Sequence, residues 1–123
     1  MAKNLEICIL LDFYGEMLTQ KQRDLMDLYY NDDLSLAEIA EQEGISRQGV
    51  RDNIKRAEGQ LLEMEEALHC AARFKQMMQT FSEVDALLSD IEKDYTALHR
   101  PSGVRKVREI KEKLSSFSDD YFN

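Results

Sequence analysis

Apolar residues recur along most of the chain at intervals of three and four positions, while alternation at every second position is rare. This spacing places apolar side chains on one face of a helix and predicts an all-α protein. The first helix is expected over residues 2–14 and should end at Gly15, a residue that readily adopts the left-handed conformation of a helix end. Apolar residues cover so much of its circumference that we expect it to be buried on two sides.

Three hydroxyl residues mark helix starts in the next segment, because a hydroxyl can accept a hydrogen bond from a free amide of the first turn. They are Thr19, Ser35 and Ser46, and Glu38 completes a capping box with Ser35. Gly44 should close the short helix that follows Ser35. A short helix, a tight turn and a longer helix together form the helix-turn-helix pattern.

The third of these helices carries a long apolar series with the heptad spacing of a packed helical seam. The members of the series are Val50, Ile54, Ala57, Leu61, Met64, Leu68, Ala71, Phe74, Met78 and Phe81. A single helix over residues 47–81 would be about 50 Å long at about 1.5 Å per residue. Ser82 resembles a helix restart, so either a break falls near residues 80–82 or the helix continues. Residues 100–103 are the clearest stop, and a final helix is expected over 104–114.

These elements divide the chain into a helix-turn-helix part over residues 1–60, long helices over residues 61–114 and a frayed tail over residues 115–123. The length of 123 residues fits one domain of this kind. The expected fold is all-α, with a helix-turn-helix of the winged-helix-like DNA-binding class that lacks a wing, followed by long C-terminal helices.

Charge limits the functions that the sequence permits. With 16 basic and 24 acidic residues, the formal net charge of −8 excludes a protein whose whole surface attracts nucleic acid. Any nucleic-acid site must therefore be local. The apolar run near the amino terminus is interrupted by Asp12 and is too short for a secretory signal or a membrane-spanning helix. We expect a cytoplasmic protein without membrane insertion, in which Cys8 and Cys70 are free thiols.

The helix after the tight turn carries the candidate nucleic-acid-binding residues. If its apolar positions face the core, its polar positions face outward, where the first turns of a second helix reach base edges and phosphates. Arg47 and Arg51 suit guanine, and Gln48 suits adenine. Lys55 and Arg56 suit phosphates. Contact with a protein or a ribonucleoprotein, and a purely structural role, are open alternatives for the same segment.

The apolar seam beyond the helix-turn-helix is the candidate surface for a partner or a second copy. Methionine repacks easily, which suits an adaptable surface, although the same stripe also fits an ordinary core. We favour self-association as a dimer, because a chain of this length offers little else to cover the seam. The candidate contact residues are Leu61, Met64, Leu68, Phe74, Met77, Met78 and Phe81.

No catalytic, metal or cofactor site is expected. The chain has no nucleophile elbow, no Gly-rich phosphate loop and no HExxH motif. His69 and Cys70 are adjacent and so point about 100° apart on a helix, and His99 is distant in sequence. A shared metal ion is therefore not expected, and the sequence indicates a binding protein rather than an enzyme.

Two sets of motifs resemble known bacterial families. Three segments resemble region 4 of sigma factors, which places its last helix in the major groove: residues 18–23 (LTQKQR), 35–40 (SLAEIA) and 44–47 (GISR). Three others are more closely similar to the YlxM family: residues 11–15 (LDFYG), 29–35 (YYNDDLS) and 46–56 (SRQGVRDNIKR). The resemblance covers about residues 5–75.

The YlxM resemblance implies a DNA-binding or regulatory protein encoded next to components of the signal recognition particle, with the particle's GTPase or RNA as partners. It brings no catalytic residues. From the sigma-type motif, Arg47, Gln48 and Arg51 carry over as base-contacting positions. The chain departs from a strong DNA reader at Gly49, which costs about 1 kcal/mol of helix stability relative to alanine, and at Asp52, which faces the same side as Arg51. A transcription regulator unrelated to targeting and a helical adaptor are the alternatives.

Overall fold

The computed structural model describes residues 3–122. Within these residues the chain forms six α-helices: α1 (Leu5–Tyr14), α2 (Gln20–Met26), α3 (Leu36–Glu43), α4 (Arg47–Leu68), α5 (Cys70–Ala97) and α6 (Pro101–Phe122). A 3-10 turn (Gly15–Met17) follows α1, and a π-helical turn (Asp27–Asn31) extends α2. The described part of the chain contains no strand, so the all-α prediction is confirmed.

The chain folds as two compact units that divide between Arg73 and Phe74, within α5. The first unit contains α1 to α4 and the start of α5, and the second contains the rest of α5 and α6. This structural boundary lies later in the chain than residue 60. The functional division at residue 60 stays a prediction.

α1 packs against α4. Its buried residues are Ile7, Leu10, Leu11 and Tyr14. Leu5 is 81% exposed and Ile9 is 52% exposed, so the prediction that α1 is buried on two sides is wrong. Gly15 has a right-handed φ of −56°, because the chain continues directly into the 3-10 turn instead of ending in a left-handed residue.

The predicted starts of α2, α3 and α4 are confirmed. Thr19, Ser35 and Ser46 each accept a hydrogen bond from the amide three residues later, at 3.2, 3.1 and 3.0 Å. Gly44 ends α3 with a φ of 68°, a conformation that costs glycine little because it has no Cβ. These caps and the turn set α3 against α4 and form the helix-turn-helix.

The core of the first unit is built from the apolar faces of α1 to α4. Its largest fully buried residues are Leu10, Leu25, Met26, Ile39, Val50, Ile54 and Leu61. The first half of the predicted heptad seam is therefore the core of this unit, which fixes the opposite face of α4 toward solvent.

The helix expected over residues 47–81 is interrupted at His69, whose φ of 56° ends α4. No break occurs near residues 80–82, because α5 continues through Ser82. Ser82 therefore lies inside α5 and does not start a helix.

The side chains of Tyr14, which is distant in sequence, and of Glu65, at the end of α4, bind the first amides of α5. The Cys70 amide donates to the Tyr14 hydroxyl at 3.1 Å, and the Ala71 and Ala72 amides donate to the Glu65 carboxylate, each at 3.0 Å. The Tyr14 hydroxyl donates in turn to Glu65 at 2.7 Å. This Tyr14–Glu65 cap satisfies amides that would otherwise lack a partner at a helix start.

The second unit is an antiparallel hairpin of α5 and α6. The rings of Phe81 and Phe117 pack edge to face at 5.8 Å, and Gly103 allows close approach, because a Cβ there would lie 2.7 Å from the Tyr95 ring. α6 begins earlier than predicted, since proline is well tolerated in a first helical turn, and it continues to Phe122. The predicted tail is helical as far as the structure describes it, and residue 123 lies outside the described residues.

No helix in the described residues is both long and apolar enough to cross a membrane.

Candidate nucleic-acid interface

The predicted nucleic-acid-binding residues lie in the first three turns of α4. Burial of the apolar positions turns the polar positions outward, and every candidate side chain is exposed. The candidates are Arg47, Gln48, Arg51, Lys55 and Arg56. The sequence therefore predicted their exposure correctly, while their role in binding stays a prediction.

Three of the four cations form one row along α4. Arg47, Arg51 and Lys55 are spaced four apart, and residues four apart are neighbours on a helix surface. Arg56 follows Lys55 directly, which turns it about 100° away from the row. None of the described carboxylates forms an ion pair with any of the four. The cationic row, as we call Arg47, Arg51 and Lys55, is therefore electrostatically available to an anion.

Gln48 is already engaged within the helix. Its Nε2 donates to Oδ1 of Asp52 at 2.9 Å. A bidentate adenine contact uses the amide nitrogen and the amide oxygen together, so only one of the two N–H groups of Gln48 is left for the base while the bond to Asp52 is kept. Asp52 also lowers the positive potential beside the cationic row.

Gly49 lies beside the hydroxyl that caps α4. A Cβ at this position would lie 3.1 Å from Oγ of Ser46, which is the oxygen that caps α4. The Gly49 carbonyl also accepts a hydrogen bond from Nδ2 of Asn53 at 2.8 Å. A side chain at position 49 would therefore require a small shift of the Ser46 hydroxyl.

Acidic groups limit the positive potential to a small area. Residues 46–56 carry four basic side chains and one acidic one, a net charge of +3 in a chain of −8. α3 exposes Glu38, Glu41 and Glu43. In DNA-bound helix-turn-helix proteins the first helix crosses the phosphate backbone, so these carboxylates oppose deep docking.

Tyrosines bind two of the acids that follow the cationic row on α4. Tyr30 donates a hydrogen bond to Glu58, and Tyr14 donates to Glu65. Burial raises the pKa of both tyrosine hydroxyls, and the adjacent carboxylates raise it further. Both hydroxyls therefore remain protonated donors, and Glu58 and Glu65 serve the fold.

The candidate partner-contact residues fall in both units. Leu61 is 0% exposed and has no surface to offer a partner, and Met64 packs partly against the same core. Leu68 is 45% exposed at the end of α4. The others lie half-buried on α5, and the structure does not test their role: Phe74, Met77, Met78 and Phe81.

Neither the histidines nor the cysteines form a metal site in the described residues. No group of three or more His, Cys, Asp or Glu side chains there is arranged to hold an ion. Cys8 is half-buried and Cys70 is exposed, and both are free thiols.

The sequence shows clear similarity to known bacterial proteins. A family model, UPF0122, described as "Putative helix-turn-helix protein, YlxM / p13 like", matches residues 1–100. UPF0122 proteins of Bacillus cereus strain AH187, Bacillus anthracis strain A0248 and Bacillus thuringiensis subsp. konkukian strain 97-27 are each 43% identical over 114 residues. Each match covers 93% of this chain and 98% of the relative. The chain therefore belongs to the UPF0122 family of YlxM/p13-like helix-turn-helix proteins.

Proposed function

We propose that this chain is a non-enzymatic regulatory protein whose helix-turn-helix contacts nucleic acid through the cationic row of α4. The supporting observation is that Arg47, Arg51 and Lys55 are aligned, exposed and without ion-pair partners among the described residues. The first turn of α4 adds free amides at the positive end of the helix dipole, which favours a phosphate at the same place.

The size of the interface sets the expected strength of binding. Three or four phosphate contacts give a salt dependence with a slope of about −3 in log affinity against log salt. The neighbouring carboxylates of α3 reduce the affinity further. Binding by one protomer is therefore weak and strongly salt-dependent, and phosphate contacts contribute more to it than base contacts.

The test is fluorescence anisotropy of a labelled random-sequence DNA duplex, titrated with the full chain at low and at physiological salt. We expect salt-sensitive binding by the wild type. The double variant Arg47→Ala/Arg51→Ala removes two of three aligned cations and should weaken binding by about 10-fold or more at low salt.

Arg73→Ala is the matched control. Arg73 is an exposed arginine of the first unit that lies outside the helix-turn-helix. Arg73→Ala therefore changes the net charge by the same amount as the single variant Arg51→Ala and leaves the cationic row intact. If both single variants weaken DNA binding equally, net charge explains the effect and the local interface is rejected.

A second candidate function is contact with a protein through the same helix-turn-helix. The exposed carboxylates Glu38, Glu41 and Glu43 on α3 support it, because they suit a basic protein surface better than a phosphate backbone. Absence of duplex binding at low salt would favour this candidate.

We extend the proposal to the targeting pathway on the YlxM resemblance, with the GTPase and the RNA of the signal recognition particle as partners. An anisotropy titration with that RNA as the labelled ligand separates RNA from DNA contact. A titration with the GTPase tests the protein-contact candidate directly.

A further inference from the structure

The α5–α6 hairpin buries very little apolar surface. Among the side chains that the structure describes, only Leu88 and Val107 are buried apolar residues in the second unit, whereas fourteen form the core of the first. Two packed helices of this length expose most of their surface, and such small folds usually need further burial from another element or subunit.

One face of the hairpin is charged and internally paired. Glu92 forms an ion pair with Arg108 at 2.9 Å and a longer one with Lys111 at 3.8 Å. Lys111 also donates to the Ser89 hydroxyl at 2.9 Å. These contacts show that α5 and α6 turn these four residues toward the same face.

The opposite face of the hairpin is apolar and exposed. Counting about 100° per residue from the buried Leu88 and Val107, the exposed apolar residues of both helices fall on the side away from Glu92 and Lys111. On α5 they are Val84, Leu87 and Ile91, exposed by 36, 63 and 42%, and Leu98, the residue that follows α5, is 67% exposed. On α6 they are Ile110 and Phe117, exposed by 45 and 48%. We call these six residues the apolar face.

We propose that a second copy of this chain covers the apolar face, so that two α5–α6 hairpins pair into a four-helix bundle. Two-helix layers of this kind pack face to face in bundles with antiparallel neighbours. A two-fold axis places the same face of both copies against each other, which is the commonest arrangement of soluble oligomers. This surface differs from the predicted seam, of which Leu61 is buried in the first unit.

Charge along the edges of the apolar face selects a second copy and fixes its orientation. The α5 edge carries exposed acids, Glu83, Asp90 and Asp94, and the α6 edge carries two exposed lysines, Lys106 and Lys113, and one exposed acid, Glu109. A bundle that stacked α5 on α5 would place acids against acids. A two-fold axis parallel to the helices instead stacks α5 of each copy on α6 of the other, so that the acids of the α5 edge lie beside an edge with two lysines and one acid.

The hairpin register identifies the closest pair. Glu92 lies level with Arg108, and Tyr95 lies level with Gly103. By the same register, Asp94 and Lys106 of one hairpin lie at the same height along the helix axes. A two-fold axis parallel to the helices does not change this height, so Asp94 of one copy faces Lys106 of the second copy.

The test measures the dimer dissociation constant of the full chain by sedimentation velocity from micromolar to near-millimolar concentration. Leu87→Glu should raise that constant by about tenfold or more, because each dimer buries two new charges. Met17→Glu is the matched control, since Met17 is 64% exposed in the first unit and Leu87 is 63% exposed. Circular dichroism of both variants serves to check that they retain the helix content of the wild type.

A charge exchange tests the orientation without disturbing the apolar face. Asp94→Lys alone and Lys106→Glu alone should each weaken the dimer, and the double variant should restore it to near the wild-type constant. A strictly monomeric wild type would overturn the proposal and leave the face to a different partner. A dimer that is indifferent to Leu87→Glu would also overturn it. A double variant that is weaker than either single variant would reject the stacking of α5 on α6.

Discussion

Tyr14 is the residue on which the α4–α5 junction depends. Its ring lies in the core, while its hydroxyl donates to Glu65 and accepts from the Cys70 amide. One buried hydroxyl thereby joins α1 to the end of α4 and the start of α5. A buried polar group that is satisfied on both sides stabilises, whereas removal of one partner leaves the others unpaired.

We predict that Tyr14→Phe destabilises the first unit by about 1–2 kcal/mol, because the ring packing is kept and both hydrogen bonds are lost. Urea unfolding followed by circular dichroism measures the change. Tyr95→Phe is the control, since Tyr95 is 40% exposed in the second unit. If both variants unfold at the same urea concentration as the wild type, the Tyr14 hydroxyl does not hold the junction.

At the scale of elements, the sequence predicted the boundaries that depend on neighbouring residues. Thr19, Ser35 and Ser46 cap their helices through bonds within three residues, so a local pattern was sufficient. The end of α4 at His69 could not be predicted in the same way. It depends on Tyr14, which is 56 residues from the amide that it caps, and no nearby glycine or proline signals it.

In the candidate interface too, features set by nearby residues could be predicted and features set by the three-dimensional structure could not. Exposure of the cationic row follows from helix periodicity, which the sequence displays directly. The Gln48–Asp52 bond was open to prediction, since the two residues are four apart. The close approach of position 49 to the Ser46 hydroxyl was not, because it depends on the three-dimensional position of that hydroxyl.

The cap of α5 should make stability depend on pH in the acid range. Hydrogen bonds from Tyr14 and from the Ala71 and Ala72 amides, together with His69, hold the pKa of Glu65 below its usual value of 4.5. A carboxyl with a lowered pKa in the folded state stabilises above its unfolded pKa, and this contribution disappears as the pH falls through the folded pKa. The loss therefore begins below about pH 4.5.

We predict that Glu65→Gln reduces the fall in urea midpoint between about pH 6 and about pH 3.5. Glu66→Gln removes the same charge from an exposed neighbour on α4 and serves as the control. An identical pH dependence in wild type and Glu65→Gln would show that the carboxylate does not act as the cap in its charged form.

At the scale of the molecule, the two proposals assign nucleic-acid contact to the first unit and self-association to the second. The first presents the cationic row, and the second supplies the apolar face. A dimer joined through the second unit carries two rows, so its nucleic-acid affinity and its salt dependence both increase when both rows reach one duplex.

We predict a salt slope of about −6 for the dimer and about −3 for Leu87→Glu, measured by anisotropy on the same duplex. Met17→Glu should retain the dimer slope. Equal slopes for dimer and monomer would mean that only one row of each dimer contacts the duplex, while a slope near zero in both would reject phosphate contact altogether.

The Tyr14–Glu65 cap also sets an order of events during synthesis. α1 leaves the ribosome early, but its tyrosine hydroxyl has its two partners only when the chain has been extended to Glu65 and Cys70. Closing so long a loop costs entropy before any contact offsets it, and starting a helix is itself unfavourable. The first turn of α5 therefore gains its capping groups only when α1 and α4 have come together, so we expect this turn to form after the core of the first unit.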